Sequence, residues 1–183
     1  MIAFAPRRSA TGLACLLLLS GLPVGVQAQD HATHDHTSPY VDLQERDIKA
    51  LSADEVASLL AGEGMGFALP AELNGYPGPR HVLDMAPMLG LSDEQLADIR
   101  AIFDDMQARA RELGAAVVDG ERALDRAFAA GTITAAELQA RLGDLARDRA
   151  ALRGAHLEAH LRLLPILTDD QREIYRRARG YGG

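Results

Sequence analysis

Tryptophan is absent from this chain, cysteine and lysine occur once each, as Cys15 and Lys49, and there are only four phenylalanines and four tyrosines. With so few rings there is no stacking platform for single-stranded nucleic acid or for sugars. A lone cysteine forms no internal disulfide, so stability has to come from packing, assembly or metal. The formal net charge of −7 makes nucleic acid and anionic lipid poor partners, because binding a polyanion depends on Lys and Arg neutralising phosphate. Cations and basic proteins are favoured instead. Long apolar runs are missing as well: none reaches the ~20 residues that a spanning helix needs.

The N-terminus carries targeting information. Arg7 and Arg8 form a positive region, Leu13 to Leu19 an apolar region, and Val26-Gln27-Ala28 a small-residue cleavage site. Residues 1–28 are therefore expected to be a Sec signal peptide, which places the mature protein in the periplasm of a bacterium without membrane insertion. Cys15 precedes most of the apolar region, which argues against a lipoprotein cleavage site. Cleavage after Ala28 leaves 155 residues, one domain's worth, and removes two arginines and no acid, which moves the formal charge from −7 to −9.

What the chain does have is a five-residue pattern that occurs twice, Leu91-Ser92-Asp93-Glu94-Gln95 and Leu167-Thr168-Asp169-Asp170-Gln171. Each copy reads as a helix start. The Ser or Thr at the N-cap accepts the third helical N–H, and the Gln reaches back to the cap's own N–H. The acids between them favour the positive end of the helix dipole.

This pair resembles the L-T-x-x-Q signature of the Spy/CpxP-like group of small bacterial periplasmic helical proteins, which includes heavy-metal sensor and resistance proteins of the CnrX-like kind. The resemblance runs from about Tyr40 to Tyr181. It takes in Gly64-Met65-Gly66, the block Ala71-Glu72-Leu73-Asn74-Gly75-Tyr76-Pro77-Gly78-Pro79, and His156-Leu157-Glu158-Ala159-His160. It implies an antiparallel homodimer with a concave face, which in Spy-like members holds unfolded clients.

The punctuation of the chain gives an all-α organisation. Residues 29–38 are polar, rich in histidine and expected to be disordered. Ser52 and Glu55 make a capping box for a short helix from Ala53 to Ala61, which Gly62 stops. From Gly62 to Pro79 the density of Gly and Pro predicts an ordered loop or arm without regular helix. Pro79 suits the first turn of a helix to Leu89 that Pro87 must kink or divide.

After Ser92, apolar residues at Leu96, Ile99, Phe103, Met106, Ala110, Leu113, Val117, Leu124 and Ala127 recur in steps of three and four, with one gap at Gly120. Gly131 ends this helix, and Thr134 with Glu137 predicts a third capping box. The next seam runs through Leu138, Leu142, Leu145, Arg149, Leu152, His156, Ala159 and Leu163 until Pro165. So short a connection makes the two helices antiparallel neighbours. The expected architecture is a long helical hairpin with shorter flanking helices, all in one domain over residues 39–183. Two long helices with few partners leave an apolar seam open, and a second copy is expected to cover it.

Histidines supply the candidate chemistry. His156 and His160 lie four apart, on one helical face, and can share one metal ion. His81 or Met85, which with Asp84 and Met88 share a face of the preceding helix, or a residue of a partner chain, would supply a third ligand; Met is the soft donor that suits copper. The alternative is structural, with His156 buried and bonded to an acid and His160 exposed. A second candidate sits in the tail. Cleavage after Ala28 would expose Gln29-Asp30-His31, an amine, two amides and an imidazole of the kind that hold Cu(II) or Ni(II), with His34 and His36 close behind. The bland reading there is a solvated tail.

No nucleophile elbow, Walker loop or H-E-x-x-H occurs, and the Gly62, Gly64, Gly66 cluster follows a helix rather than a strand. An enzyme is not expected, nor a tightly bound cofactor. Two functions remain: a periplasmic metal-binding protein for Cu(II), Ni(II) or Zn(II) in heavy-metal sensing or resistance, or a chaperone or envelope-stress adaptor serving unfolded proteins or a membrane sensor. A single lysine argues against a basic client-attracting rim, unless Arg109, Arg111, Arg141, Arg149, Arg153 and Arg162 gather on one face.

Overall fold

Helix starts and stops fall where the local signals put them. The computed structural model describes residues 38–181, so the proposed signal peptide and the tail histidines His31, His34 and His36 lie outside the described residues. In chain order the helices are α1 (Ala53–Ala61), α2 (Leu69–Glu72), α3 (Pro79–Asp84), α4 (Ala86–Leu89), α5 (Asp93–Ala129), α6 (Ala135–Leu163) and α7 (Asp169–Ala178), with 3-10 turns at Val41–Leu43 and Leu164–Ile166. The architecture is all-α, with no strand among the described residues.

Reciprocal capping boxes open α1, α5 and α7, at Ser52 with Glu55, Ser92 with Gln95, and Thr168 with Gln171. The box expected at Thr134 is only half formed. Thr134 Oγ1 accepts the Glu137 N–H at 3.2 Å, but Glu137 turns away to take two hydrogen bonds from Arg141, at 2.7 and 3.1 Å. A charged pair one turn along the helix competes with the cap and wins it.

The Gly/Pro-rich segment also departs from expectation, since a four-residue helical turn, α2, forms inside it. Pro70 supplies the fixed φ of a first turn, and the Asn74 side-chain amide closes the turn by donating to the Pro70 carbonyl at 2.7 Å. Pro87 divides the next helix as expected: Met85, at φ −100° and ψ 9°, separates α3 from α4.

α5 and α6 form the antiparallel hairpin. Ion pairs cross it at Asp105–Arg162, Arg109–Glu158 (2.9 Å) and Glu121–Arg149 (2.7 Å), and the residue number falls on α6 as it rises on α5. The gap in the seam at Gly120 is filled from across the hairpin, because a Cβ there would stand 2.7 Å from Leu145 Cδ2. Gly114 plays a similar part toward α1: a Cβ would lie 2.1 Å from the Leu59 carbonyl oxygen, so the backbones of α1 and α5 touch.

Because α1, α3 and α6 all rest on α5, the buried face is broader than a heptad seam, and Ile102 and Val118 join Ile99, Met106, Ala110 and Val117 inside. Two large core clusters result, beside a smaller one of Ile102, Met106 and Ala159. Ile48, Leu51, Leu59, Ala110, Val117, Val118 and Leu152 make one, while Val82, Leu89, Ile99, Leu163, Leu167 and Tyr175 make the other. Burying each large aliphatic side chain contributes about 1.5–3 kcal/mol. Toward the Gly131 end, Leu142 of the expected seam is exposed, as is Phe128.

Candidate functional site

Between the two apolar clusters α6 carries polar side chains into the interior. His156 and His160 are 3% and 7% exposed, and they are joined by Glu72 of α2, which is 7% exposed. Burying ionisable groups is costly unless each finds partners, so their pairing decides what the site can do.

Glu72 is held from α7. Its Oε1 accepts from the Tyr175 hydroxyl at 2.6 Å and from Arg179 Nε at 3.3 Å, and Tyr175 Oη in turn accepts the Gly78 N–H at 3.4 Å. Burial, reinforced by the hydrogen bond to the Glu72 carboxylate, raises the Tyr175 phenol above its ordinary value. The other carboxylate oxygen, Oε2, is buried without a hydrogen-bond partner and lies 3.9 Å from His160 Nδ1.

His160 Nδ1 donates to the Tyr76 carbonyl at 2.7 Å. That bond fixes the proton on Nδ1 and leaves Nε2 with its lone pair free to accept. Gly78 makes room for the ring: a Cβ there would meet His160 Nε2 at 3.2 Å and Glu72 Oε2 at 3.4 Å. His156 stacks on Phe67, with ring centroids 5.7 Å apart, and its Nε2 is buried with no partner. Burial, with His160 adding a smaller effect, lowers the His156 pKa and keeps the imidazole neutral.

Glu72, His156 and His160 line a cavity of about 510 Å³ beneath the segment from Gly62 to Arg80, with Phe103 and Met106 of α5 as part of its wall. His81 lines it too, with a pKa lowered by burial and then by Arg179. The structure thus brings His156, His160 and His81 to one cavity. Met85 is not among the lining residues and packs instead with the core cluster around Val82 and Leu89. The expected structural alternative is altered in both halves, since His160 is buried and the acid lies beside it rather than beside His156.

Sequence reasoning missed Glu72, Tyr175 and Arg179. Glu72 is the one acid in the Leu69–Gly78 stretch, a signal that becomes visible only when that stretch is seen to fold back on α6.

The donor set, imidazole nitrogens with a carboxylate oxygen, is one that binds zinc, copper or nickel. A carbonyl that orients a ligating histidine through its other nitrogen is the usual supporting contact of such sites. Among the described residues no three His, Cys, Asp or Glu side chains are already gathered around one point. A metal ion would have to draw the side chains together.

Five of the six arginines that would make a basic rim are engaged elsewhere, while Arg153 is exposed. Arg109, Arg149 and Arg162 pair across the hairpin, Arg141 pairs with Glu137, and Arg111 donates to the Ala61 carbonyl at 3.3 Å. No helix among the described residues is long and apolar enough to cross a membrane.

Among curated proteins and among solved structures, nothing matches this chain. A family model described as LTXXQ motif family protein matches residues 79–178, a span with both capping motifs, His81, His156 and His160, and consistent with the Spy/CpxP-like resemblance. As that span is more than half of the chain, the protein belongs to the LTXXQ motif family.

Proposed function

We propose that this protein is a periplasmic stress protein that binds a transition-metal ion between α6 and the Gly/Pro-rich segment, in heavy-metal sensing or resistance. The observation that carries the reading is a pair of buried, unpartnered atoms, His156 Nε2 and Glu72 Oε2, on two residues that line one cavity. An unsatisfied buried polar atom costs about 1–3 kcal/mol, a cost that an ion bound there would offset. His156 is neutral, His160 is oriented by the bond from Nδ1 to the Tyr76 carbonyl, and His81 is a further donor. No catalytic chemistry is assigned.

The test is calorimetric titration of the protein with Cu(II), Ni(II) and Zn(II), after His31→Ala, His34→Ala and His36→Ala remove any tail site. Micromolar or tighter binding that is lost on His156→Ala, with helicity retained by circular dichroism, supports the reading. Absence of binding with those tail histidines replaced overturns it. The chaperone reading needs a client surface that attracts through charge, and the engagement of Arg109, Arg149 and Arg162 in ion pairs speaks against it. The antiparallel homodimer implied by the resemblance would cover Phe128 and Leu142, and sedimentation equilibrium reads it directly.

A further inference from the structure

We propose that the ion this cavity takes is monovalent copper, held by the thioethers of Met65 and Met106 together with the imidazoles of His156 and His160. The inference rests on the metal-binding reading and names its ion. Two methionines line the cavity, Met106 from α5 and Met65 from the turn that follows α1. Met106 is 8% exposed and belongs to a small cluster with Ile102 and Ala159, one residue from His160.

Met65 has a backbone φ of 43° and is the one non-glycine residue with positive φ among the described residues, flanked by Gly64 and Gly66. Held strain of this kind marks positions whose side chain is directed for a purpose. An apolar residue at such a turn, 43% exposed, gains little from packing.

Ligand chemistry selects the ion. Thioethers are soft donors that favour Cu(I), whereas Zn(II) and Ni(II) gain little from them. Charge points the same way. Glu72 Oε1 is tied to Tyr175 and Arg179 while Oε2 has no hydrogen-bond partner, and Arg179 lines the same cavity. With the Arg179 guanidinium offsetting the Glu72 carboxylate, the site supplies no net negative charge to favour a divalent ion over a monovalent one. Four neutral donors, two imidazoles and two thioethers, suit a singly charged soft ion.

The experiment uses the full chain with its tail histidines replaced as above. Cu(I) affinity is measured anaerobically by competition with a chromogenic chelator, Ag(I) serves as a redox-inert counterpart, and Zn(II) is followed by calorimetry. Met65→Leu and Met106→Leu nearly preserve volume, and melting by circular dichroism checks the fold. Each is expected to weaken Cu(I) and Ag(I) binding about tenfold or more and to leave Zn(II) unchanged. X-ray absorption of the Cu(I) form is expected to show sulfur neighbours.

Cu(I) binding that is lost on His156→Ala but unmoved by either Leu substitution, or a copper shell of nitrogen and oxygen alone, overturns the copper assignment and leaves the metal-binding reading standing. Failure of Cu(I) and Ag(I) to bind overturns the copper assignment, and failure of Cu(II), Ni(II) and Zn(II) as well overturns both.

Discussion

Gln95 and Gln171, 76 residues apart, face each other as a reciprocal amide pair: Gln95 Nε2 donates to Gln171 Oε1 at 2.9 Å, and Gln171 Nε2 donates to Gln95 Oε1 at 3.0 Å. Each Oε1 also accepts its own cap's N–H, from Ser92 and from Thr168, both at 3.0 Å. Gln95 Nε2 further donates to the Ile166 carbonyl at 2.8 Å. The repeated motif is therefore one tertiary device, which starts two helices and fastens the start of α7 to the start of α5.

Removing either glutamine should cost more than a capping bond. Gln95→Ala leaves the Ile166 carbonyl and the Gln171 amide without partners in a half-buried site, and a loss of about 2–3 kcal/mol is expected. The double variant Gln95→Ala with Gln171→Ala should fall short of the sum of the singles by about 1 kcal/mol in urea unfolding. Simple additivity would show that the pair does not act as a unit.

Two glycines on the hairpin should respond with opposite sign. Gly114→Ala drives a Cβ into the Leu59 carbonyl, so α1 has to lift from α5, at about 1–3 kcal/mol. Gly143→Ala meets only the end of Arg147 at 3.7 Å and should stabilise the helix by about 0.5–1 kcal/mol. Thermal melts of the two variants check both signs.

Alkaline pH should loosen the grip of α7 on α2. The Tyr175 pKa is raised in the folded protein, so above its ordinary value of 10.0 the unfolded chain gives up the phenol proton while the folded one keeps it. The stability from this group is fully present below pH 10.0 and is lost as pH rises beyond it. Tyr175→Phe should lower stability at neutral pH by about 1–3 kcal/mol and flatten that part of the alkaline decline, as read by denaturant midpoints across pH.

The ion pairs across the hairpin should matter little by comparison. Arg149 is 46% exposed at its side chain, and Arg149→Ala is expected to cost under about 1 kcal/mol, less still in high salt. A larger, salt-insensitive loss would mean that the alkyl stem, not the charge, holds the helices together.

Much of this molecule is written within four or five residues of chain. Ser92 with Gln95, Thr168 with Gln171, Pro87 and Gly131 set helix limits through bonds and steric restraints that close locally, and periodicity shows which face turns inward. The site is legible only in part. That His156 and His160 share a face follows from their spacing of four. Which of them meets an acid does not follow, because Glu72 comes from a segment whose composition predicts only a loop, and Met85, a candidate third ligand, packs on a core cluster instead.

Local hydrogen bonding and apolar spacing are sufficient for the helices and their antiparallel pairing, since both depend on neighbours along the chain. Glu72 is held by the bond from Tyr175 across 103 residues, and the neutrality of His156 follows from its burial. Contacts of that kind arise only when the Gly/Pro-rich segment folds onto α6 and α7 closes behind it, and no short-range pattern fixes where an irregular backbone will lie.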